Sequence, residues 1–423
     1  MSQSKAIVLH PDIHRLPAIE RQYRLDEAKS LTHALGLSII HSEAFQVNKP
    51  RAGTLLGHGK IEEISAIVEA QPCDVVIVDT QLSPIQQRNL EKELNVKVLD
   101  RTALILEIFG ARAQTREGVL QVELAALTHQ KSRLVRSWTH LERQRGGLGF
   151  IGGPGESQME LDRRMINQRI RVIKRDLEKV KQTRSLHRRK REKIPYDVVS
   201  LVGYTNAGKS TLFNALTGAS VLEKDQLFAT LDPTLRSLTL PHGRKVILSD
   251  TVGFVSDLPH ELVAAFQATL EEVVSADIIL HVHDVVNPEE EKHTKEVNKV
   301  LEILGVNPES EKIIHVYNKM DLLSENELAE KREVLVSRGN GLLVSAMDLN
   351  SLHPLRQMIE AQLQQEDVVL QATVPAHDGE ALAWLYRRGS VKQSKNLNET
   401  LKIDVEMSPA DVAAFQKAYP DYV

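Results

Sequence analysis

The 423-residue sequence predicts a multidomain α/β protein, and three observations carry that prediction. Short apolar runs alternate with helical periodicity over the first ~110 residues and again from Asp197 to about residue 365, the pattern of mainly parallel sheets flanked by helices. Between these blocks lie two long segments with an apolar residue at every seventh position. The tail reads β-α-β-β-α. Four units are therefore expected: an N-terminal α/β domain over 1–112, an antiparallel helical hairpin over 113–194, a second α/β domain over 195–365 and a small α+β domain over 366–423.

In the first unit, AIVL (6–9), LSII (37–40) and DVVIVD (74–79) read as strands, with helices near 20–35, 60–70 and 84–94. Cys73 is the single cysteine, which excludes an intrachain disulfide or a cysteine metal cluster; it is expected as a small buried residue. No apolar run approaches the roughly 18–20 residues that span a bilayer. The N-terminus lacks the apolar core of a signal peptide, so a cytosolic protein without membrane insertion is expected.

In the hairpin, Leu120, Leu127, Leu134 and Leu141 recur every seven residues beside Leu124 and Trp138, and Met159, Ile166, Ile173 and Val180 repeat the spacing beside Ile170 and Leu177. A seam within one chain is expected, hence a monomer. GGLGFIGGPG (146–155) would form the tip, flanked by Arg143 and Arg145 on one side and Arg163 and Arg164 on the other. It joins helix to helix and lacks a following Lys-Ser/Thr, the wrong setting for a nucleotide loop. Two readings stay open: a flexible turn, or insertion into folded RNA through those arginines with Gly146, Gly147, Gly149, Phe150, Gly152 and Gly153. Residues 131–195 hold 19 Lys or Arg against 7 Asp or Glu, although the whole chain carries −4. That asymmetry fits either a solvated helical face or contact with a polyanion. Aromatics at 4% argue against rows of stacked bases.

The third unit carries the chemistry. The strand VVSLVG (198–203) runs into GYTNAGKS (203–210), the Gly-x4-Gly-Lys-Ser P-loop in its strand–loop–helix setting. Gly203, Tyr204, Thr205, Asn206, Ala207 and Gly208 would wrap the phosphates with backbone N–H groups. Lys209 would reach the β and γ oxygens, Ser210 would ligate Mg²⁺, and Thr211 would follow at the helix start. In Asn318-Lys319-Met320-Asp321 the Asp321 carboxylate can accept both N1–H and N2–H of guanine, where adenine offers no donor pair. Asn318 is expected at the opposite edge of the base, and Val344-Ser345-Ala346 is expected to meet the guanine carbonyl through backbone N–H. In ILSDTVGF (247–254), Asp250 would hold Mg²⁺ through water, with Thr251 and Val252 leading to the Gly253 N–H, which senses the γ-phosphate. In LFATLDPT (227–234), Phe228, Ala229, Thr230, Leu231 and Asp232 form the other switch, with Thr230 preferred over Thr234 as the metal ligand. Both switches are expected to tighten only around a γ-phosphate. Lys209, Thr230 and Gly253 are thus the expected catalytic set of a Ras-like P-loop GTPase domain using GTP and Mg²⁺.

These motifs resemble the translation-factor-related GTPases. GTLLGHGKIEEI (53–64), DTQLSPIQQRNLE (79–91), RAQTREGVLQVELAAL (112–127), GGLGFIGGPGE (146–156), FATLDPT and DTVGF narrow the resemblance to the HflX family, over about 365 residues. The resemblance implies a ribosome-associated GTPase that binds the large subunit, splits or rescues stalled ribosomes, and places its hairpin near the peptidyl-transferase region, against ribosomal RNA. It also implies ATP hydrolysis in the N-terminal region, where GHGK (57–60) is the nearest glycine–lysine element and no full ATP motif stands. Phe254 occupies the place of the water-orienting Gln of Ras-like proteins, so slow hydrolysis completed by a partner is expected. In some relatives an Asn at the position of Asn206 helps hold K⁺, which makes K⁺ a candidate cofactor. The rival readings are a large-subunit assembly GTPase, an RNA-remodelling ATPase acting through the N-terminal domain, and an RNA-binding scaffold with a vestigial GTPase. A tRNA-modification role lacks a further catalytic site; no cysteine sits in the tail. His281-x-His283, Trp138 and Trp384 are expected to pack structurally, and Glu289-Glu290-Glu291 to be a solvated helix start.

Overall fold

The computed structural model describes residues 4–144, 154–191, 196–218, 234–251, 253–256, 270, 272–338, 341–365, 367–397, 399–407 and 409–423. The N-terminal domain runs β1 (Lys5–Asp12), α1 (Ala18–Ala34), β2 (Ser38–Gln46), α2 (His58–Ala70), β3 (Val75–Val78), α3 (Pro84–Leu94), β4 (Lys97–Asp100) and α4 (Arg101–Arg112). Its four strands are all parallel, in the order β2-β1-β3-β4. Ala6, Ile7, Val8 and Leu9 have no exposed surface, which is why β1 is apolar on both faces rather than alternating. β4 is only four residues long, too short for the sequence pattern to mark. Ser83 and Gln86 form a reciprocal capping box at α3, with Pro84 in its first turn, and Asp100 caps α4 by accepting the Ala103 N–H at 2.8 Å. Cys73 is half-buried rather than buried, and desolvation raises its thiol pKa.

The hairpin consists of α5 (Arg116–Gln144) and α6 (Pro154–Arg191), packed on each other. Ile166 and Ile173 are buried in the seam, and Arg169 makes a forked pair with Glu123 at 2.6 and 2.8 Å. Val122 and Ala125, next to the heptad stripe, are buried against Leu104, Ile105, Ile108 and Phe109 of α4. That contact docks the base of the hairpin onto the N-terminal domain, and Arg133 on α5 adds a 2.9 Å bond to Asp100. The side chains of Leu141, Trp138, Met159 and Arg143, and all of Arg145 with the 146–153 tip, lie outside the described residues.

The third domain runs β5 (Val198–Gly203), α7 (Lys209–Thr217), β6 (Thr234–Thr239), β7 (Lys245–Asp250), β8 (Ile278–Asp284), α8 (Glu290–Ile303), β9 (Ile313–Asn318), α9 (Glu325–Arg338), β10 (Gly341–Leu343) and α10 (His353–Gln364). The sheet order is β10-β9-β8-β5-β7-β6, parallel except for the β6 edge. β5 lies between β7 and β8, so the strand order reverses there, and the crevice at the carboxyl ends is where such folds bind ligands. The last domain pairs β11 (Val368–Pro375), β12 (Ser390–Leu397) and β13 (Thr400–Met407) antiparallel in the order β11-β13-β12, with α11 (Gly379–Arg388) and α12 (Pro409–Ala418). Trp384 packs on Phe415 inside it, their rings 5.3 Å apart. Arg244 bonds Asp197 and Asp367 at the junction with the third domain.

The N-terminal and third domains share one core. Leu104 and Phe109 belong to the same apolar cluster as Val202, Phe254, Val297 and Leu301. Beside it lies a buried polar hub. Arg101 donates to Asp79 at 2.6 Å, to Glu27 at 2.7 Å and to the Ser256 carbonyl at 3.2 Å. Burial alone would raise the Asp79 pKa, but Arg101 and the His10 hydrogen bond outweigh it and hold it at about 2. Glu289 belongs to the same interface: it is 4% exposed and lies 3.2 Å from Arg24 of α1, so the acidic run is not a wholly solvated helix start. Only Glu291 of the three is exposed. The interface needs a carboxylate opposite Arg24.

Arg101→Ala strands Glu27 and Asp79 as buried carboxylates. It is expected to cost about 3–5 kcal/mol, read as a lower urea midpoint by circular dichroism; an unchanged midpoint would refute the hub's structural weight.

Candidate nucleotide site

The sequence builds the loop after β5 from steric necessity. Gly203 has φ +149°, and a Cβ there would run into the Val282 carbonyl of β8. Gly208 caps α7 at φ +86°, where a Cβ would collide with the Asn318 side-chain amide. Asn206, the exposed residue of the loop, sits in the left-handed region at φ +62°, which Asn tolerates. Tyr204, Thr205 and Ala207 are buried.

Lys209 is 6% exposed, and its Nζ donates to the Tyr204 carbonyl at 2.8 Å. Burial lowers its pKa to about 8, only partly opposed by Asp250. Ser210 Oγ donates to Asp250 Oδ2 at 2.8 Å. A hydroxyl and a carboxylate so placed are hard oxygen donors that fit Mg²⁺, which when bound would neutralise phosphate charge. Thr251 is anchored by a 2.6 Å bond to the Leu201 carbonyl. A Cβ on Gly253 would stand 2.9 Å from Lys209 Nζ, so the glycine lets the second switch close directly onto the P-loop lysine. Phe254 is drawn inward: its N–H donates to Gly203, its carbonyl accepts from Thr205 at 2.6 Å, and its ring is 5% exposed. Thr211 is half-buried in the first turn of α7. Phe228, Ala229, Thr230, Leu231, Asp232 and Val252 lie outside the described residues.

At the base-facing end Asn318 has a structural role beside the expected one. Asn318 Nδ2 donates to the Ala207 carbonyl at 2.9 Å, and its Oδ1 accepts the Ala346 N–H at 3.0 Å. The amide thus holds the P-loop to the β10 loop with one of its two N–H groups and one lone pair of its oxygen, which leaves the second N–H for the opposite base edge. The N–H groups of Val344 and Ser345 are likewise engaged, by the Tyr317 carbonyl and by Ser351 Oγ. A guanine carbonyl would therefore have to share the Ala346 N–H with Asn318. Lys319, at φ +69°, sends its Nζ to Asp284 at 2.7 Å, and Met320 N–H bonds the Val344 carbonyl. Asp321 then stands exposed at the mouth, open for the N1–H/N2–H pair.

The sequence reading did not detect that Tyr204 joins the domains. Its hydroxyl donates to Glu27 at 2.5 Å, accepts the Ser256 N–H at 2.8 Å, and its ring stacks on His293 at 3.5 Å. Burial and Glu27 push its phenol pKa well up. One signal was available: Arg24 and Glu27 lie on the same buried stripe of α1 as Ala28 and Leu31. In the first domain, Lys60 of GHGK is held by Glu43 at 2.7 Å and Glu63 at 3.0 Å, with its ammonium over the Phe45 ring. It is committed to carboxylates, not to a phosphate cradle.

A Gly-Lys-Ser loop after a central strand, an acidic residue at the next strand's end and an Asn-Lys-x-Asp clamp define a P-loop GTPase. Known families agree along the chain: residues 22–110 match the family described as GTP-binding GTPase N-terminal, 112–191 its middle region, and 198–319 the family described as 50S ribosome-binding GTPase. The GTPase HflX of Magnetococcus marinus is 48% identical over 395 residues, covering 93% of this chain and 90% of that protein. The GTPase HflX of Escherichia coli is 41% identical over 397 residues, covering 94% and 92%. The solved complex of SsGBP with GDP shares the fold, with a TM-score of 0.50 over 85% of this chain and 99% of that one at 24% identity. The chain belongs to the HflX GTPase family and hydrolyses GTP. Among the described residues, no helix is long and apolar enough to cross a membrane.

Anionic phosphates beside Lys209 restore its charge. Nucleotide binding is therefore expected to take up a proton above about pH 8 and almost none near pH 6.5, with affinity falling as pH rises through the free-state value. Calorimetry of GDP binding in buffers of different ionisation enthalpy checks this; equal proton counts at both pH values would refute it.

Proposed function

We propose that this protein is a GTP-driven switch on the large ribosomal subunit that splits or rescues stalled ribosomes. The observation that carries the reading is a continuous polar route from the nucleotide loop to the hairpin. Tyr204 of the P-loop bonds Glu27, Glu27 bonds Arg101 at the start of α4, and the neighbouring Asp100 bonds Arg133 of α5. A change in P-loop state is thus mechanically linked to the element that carries the excess of positive charge. The likeness of residues 198–319 to a family described as ribosome-binding supports the partner. In this reading Arg163 and Arg164, both exposed, and the flanking Arg143 and Arg145 lead the glycine-rich tip to ribosomal RNA near the peptidyl-transferase region. Thr230 completes the Mg²⁺ shell with Ser210, and Gly253 senses the γ-phosphate. The protein acts in the cytoplasm as a monomer.

The buried Phe254 leaves the second switch without a hydrogen-bonding side chain for water, so turnover is slow until the ribosome reorganises the site. Purified large subunits are expected to raise steady-state GTP hydrolysis on the order of tens-fold or more, with Lys209→Ala as the blank. No stimulation together with no nucleotide-dependent cosedimentation would sink the ribosomal reading while leaving the GTPase intact. The exposed Asn206 makes K⁺ a candidate helper, with faster turnover expected in K⁺ than in Na⁺; equal rates in the two salts would remove that role.

A further inference from the structure

We propose that His281, His283 and His315 form a binding site for a divalent transition-metal ion of the zinc class, on the sheet face behind the nucleotide loop. The sequence shows only His281-x-His283, which strand packing explains; the third residue comes from the neighbouring strand. His281 and His283 are two apart on β8 and so share a face, and parallel register sets His315 of β9 directly against His281. One ring nitrogen from each lies within 4.8 Å of the others. The ring centroids are 4.0 Å apart for His281 and His283, 5.1 Å for His283 and His315, and 5.4 Å for His281 and His315.

The hydrogen bonding is that of an imidazole cluster poised to exchange a proton for an ion. His283 Nε2 lies 2.9 Å from His315 Nδ1, so two neutral rings can hold a single proton between them. On its other side, His283 Nδ1 lies 3.0 Å from Thr294 Oγ1 and 3.4 Å from Glu290 Oε1, both on α8. A hydroxyl and a carboxylate behind the far nitrogen fix ring and tautomer, the arrangement that supports metal-bound histidines. Zinc–nitrogen bonds of about 2.0–2.1 Å in a tetrahedral site call for facing nitrogens slightly further apart than the 2.9 Å of the present pair. His281 is 1% exposed, and its Nδ1 has no hydrogen-bond partner among the described residues. Burial first, then His283, His315 and Lys209, keep its pKa well below the ordinary value, so the ring is neutral and needs no deprotonation to ligate.

Imidazole selects zinc, nickel or copper, whereas Mg²⁺ takes oxygen donors, so this site does not compete with the Ser210–Asp250 pair. Glu290 supplies negative charge close by, opposing the repulsion from Lys209. An ion here ties β8, which ends in Asp284, to β9, which ends in Asn318. It would stiffen the strands that present the base-reading loop.

The test uses the full chain, stripped of metal and titrated with Zn²⁺ against a chromophoric chelator, in parallel with Co²⁺ followed by its visible spectrum. The expected result is one equivalent bound, with the intense d–d absorption of tetrahedral cobalt. Affinity should be weakened on the order of a hundredfold in His315→Ala and unchanged in His242→Ala, a histidine on the opposite edge of the sheet. His315 is half-buried, and circular dichroism of the variant checks that it folds. Equal affinities in the unmodified chain and His315→Ala would overturn the proposal. If that variant unfolds, the cobalt spectrum of the unmodified chain decides: weak octahedral absorption alone marks surface binding and overturns it equally.

Discussion

The structure depends on one hydroxyl, that of Tyr204. It belongs to the P-loop, the residue whose carbonyl holds Lys209, yet its phenolic oxygen lies in the interface with the N-terminal domain. An isolated buried hydroxyl costs free energy, and an isolated buried carboxylate costs more. Tyr204, Glu27, Arg101 and Asp79 are each tolerable only because the others are in place. The same set therefore fixes the relative positions of two domains and the conformation of the phosphate loop. Removing Arg101 would leave two carboxylates with no route to water, which makes the hub an all-or-none arrangement rather than a graded contact.

In the proposed switch, that arrangement gives nucleotide state a route to the hairpin. Ser256, three residues beyond Gly253, donates its N–H to Tyr204 and offers its carbonyl to Arg101. The second switch and the P-loop thus meet the N-terminal domain at the same two groups. Asp100 then serves two helices: it caps α4 and accepts from Arg133 of α5. A displacement of the 253–256 segment has few soft places in which to dissipate before reaching the hairpin, because Phe109, Val122 and Val255 belong to one packed cluster.

Local chemistry was legible from sequence, and pairwise geometry was not. The α/β class followed from runs such as VVSLVG and IIHVY, whose apolar continuity has one simple explanation in a buried parallel strand. The elements bringing Lys209, Ser210 and Asp250 together were equally readable, since strand ends in such sheets converge. The clamping role of Asn318 was not legible because a motif specifies a residue type, not which partners its amide takes. Asn318 ties two loop backbones together with one N–H and its oxygen, and keeps its second N–H for a base. Glu289 looked solvated because nothing local reveals that Arg24, 265 positions earlier, faces it across the interface. The hairpin's heptads located its own seam but not its dock, since Val122 and Ala125 lie off the stripe.

Phe254 shows how the hub constrains chemistry. Its backbone bonds both ends of the turn at Gly203–Thr205, and its ring fills the shared core. A glutamine at this position would have to bury its amide in that cluster or break the bridge to reach water, and the first option costs a desolvated polar group. The residue that Ras-like proteins use to orient water is here spent on coupling the domains. Help with hydrolysis must then enter from the open side of the P-loop, where Asn206 is exposed, or from a surface that docks over it. In the proposed reading, a nucleotide loop rigidly joined to its neighbouring domain gives up autonomous turnover, and the timing of hydrolysis belongs to whatever binds that open face.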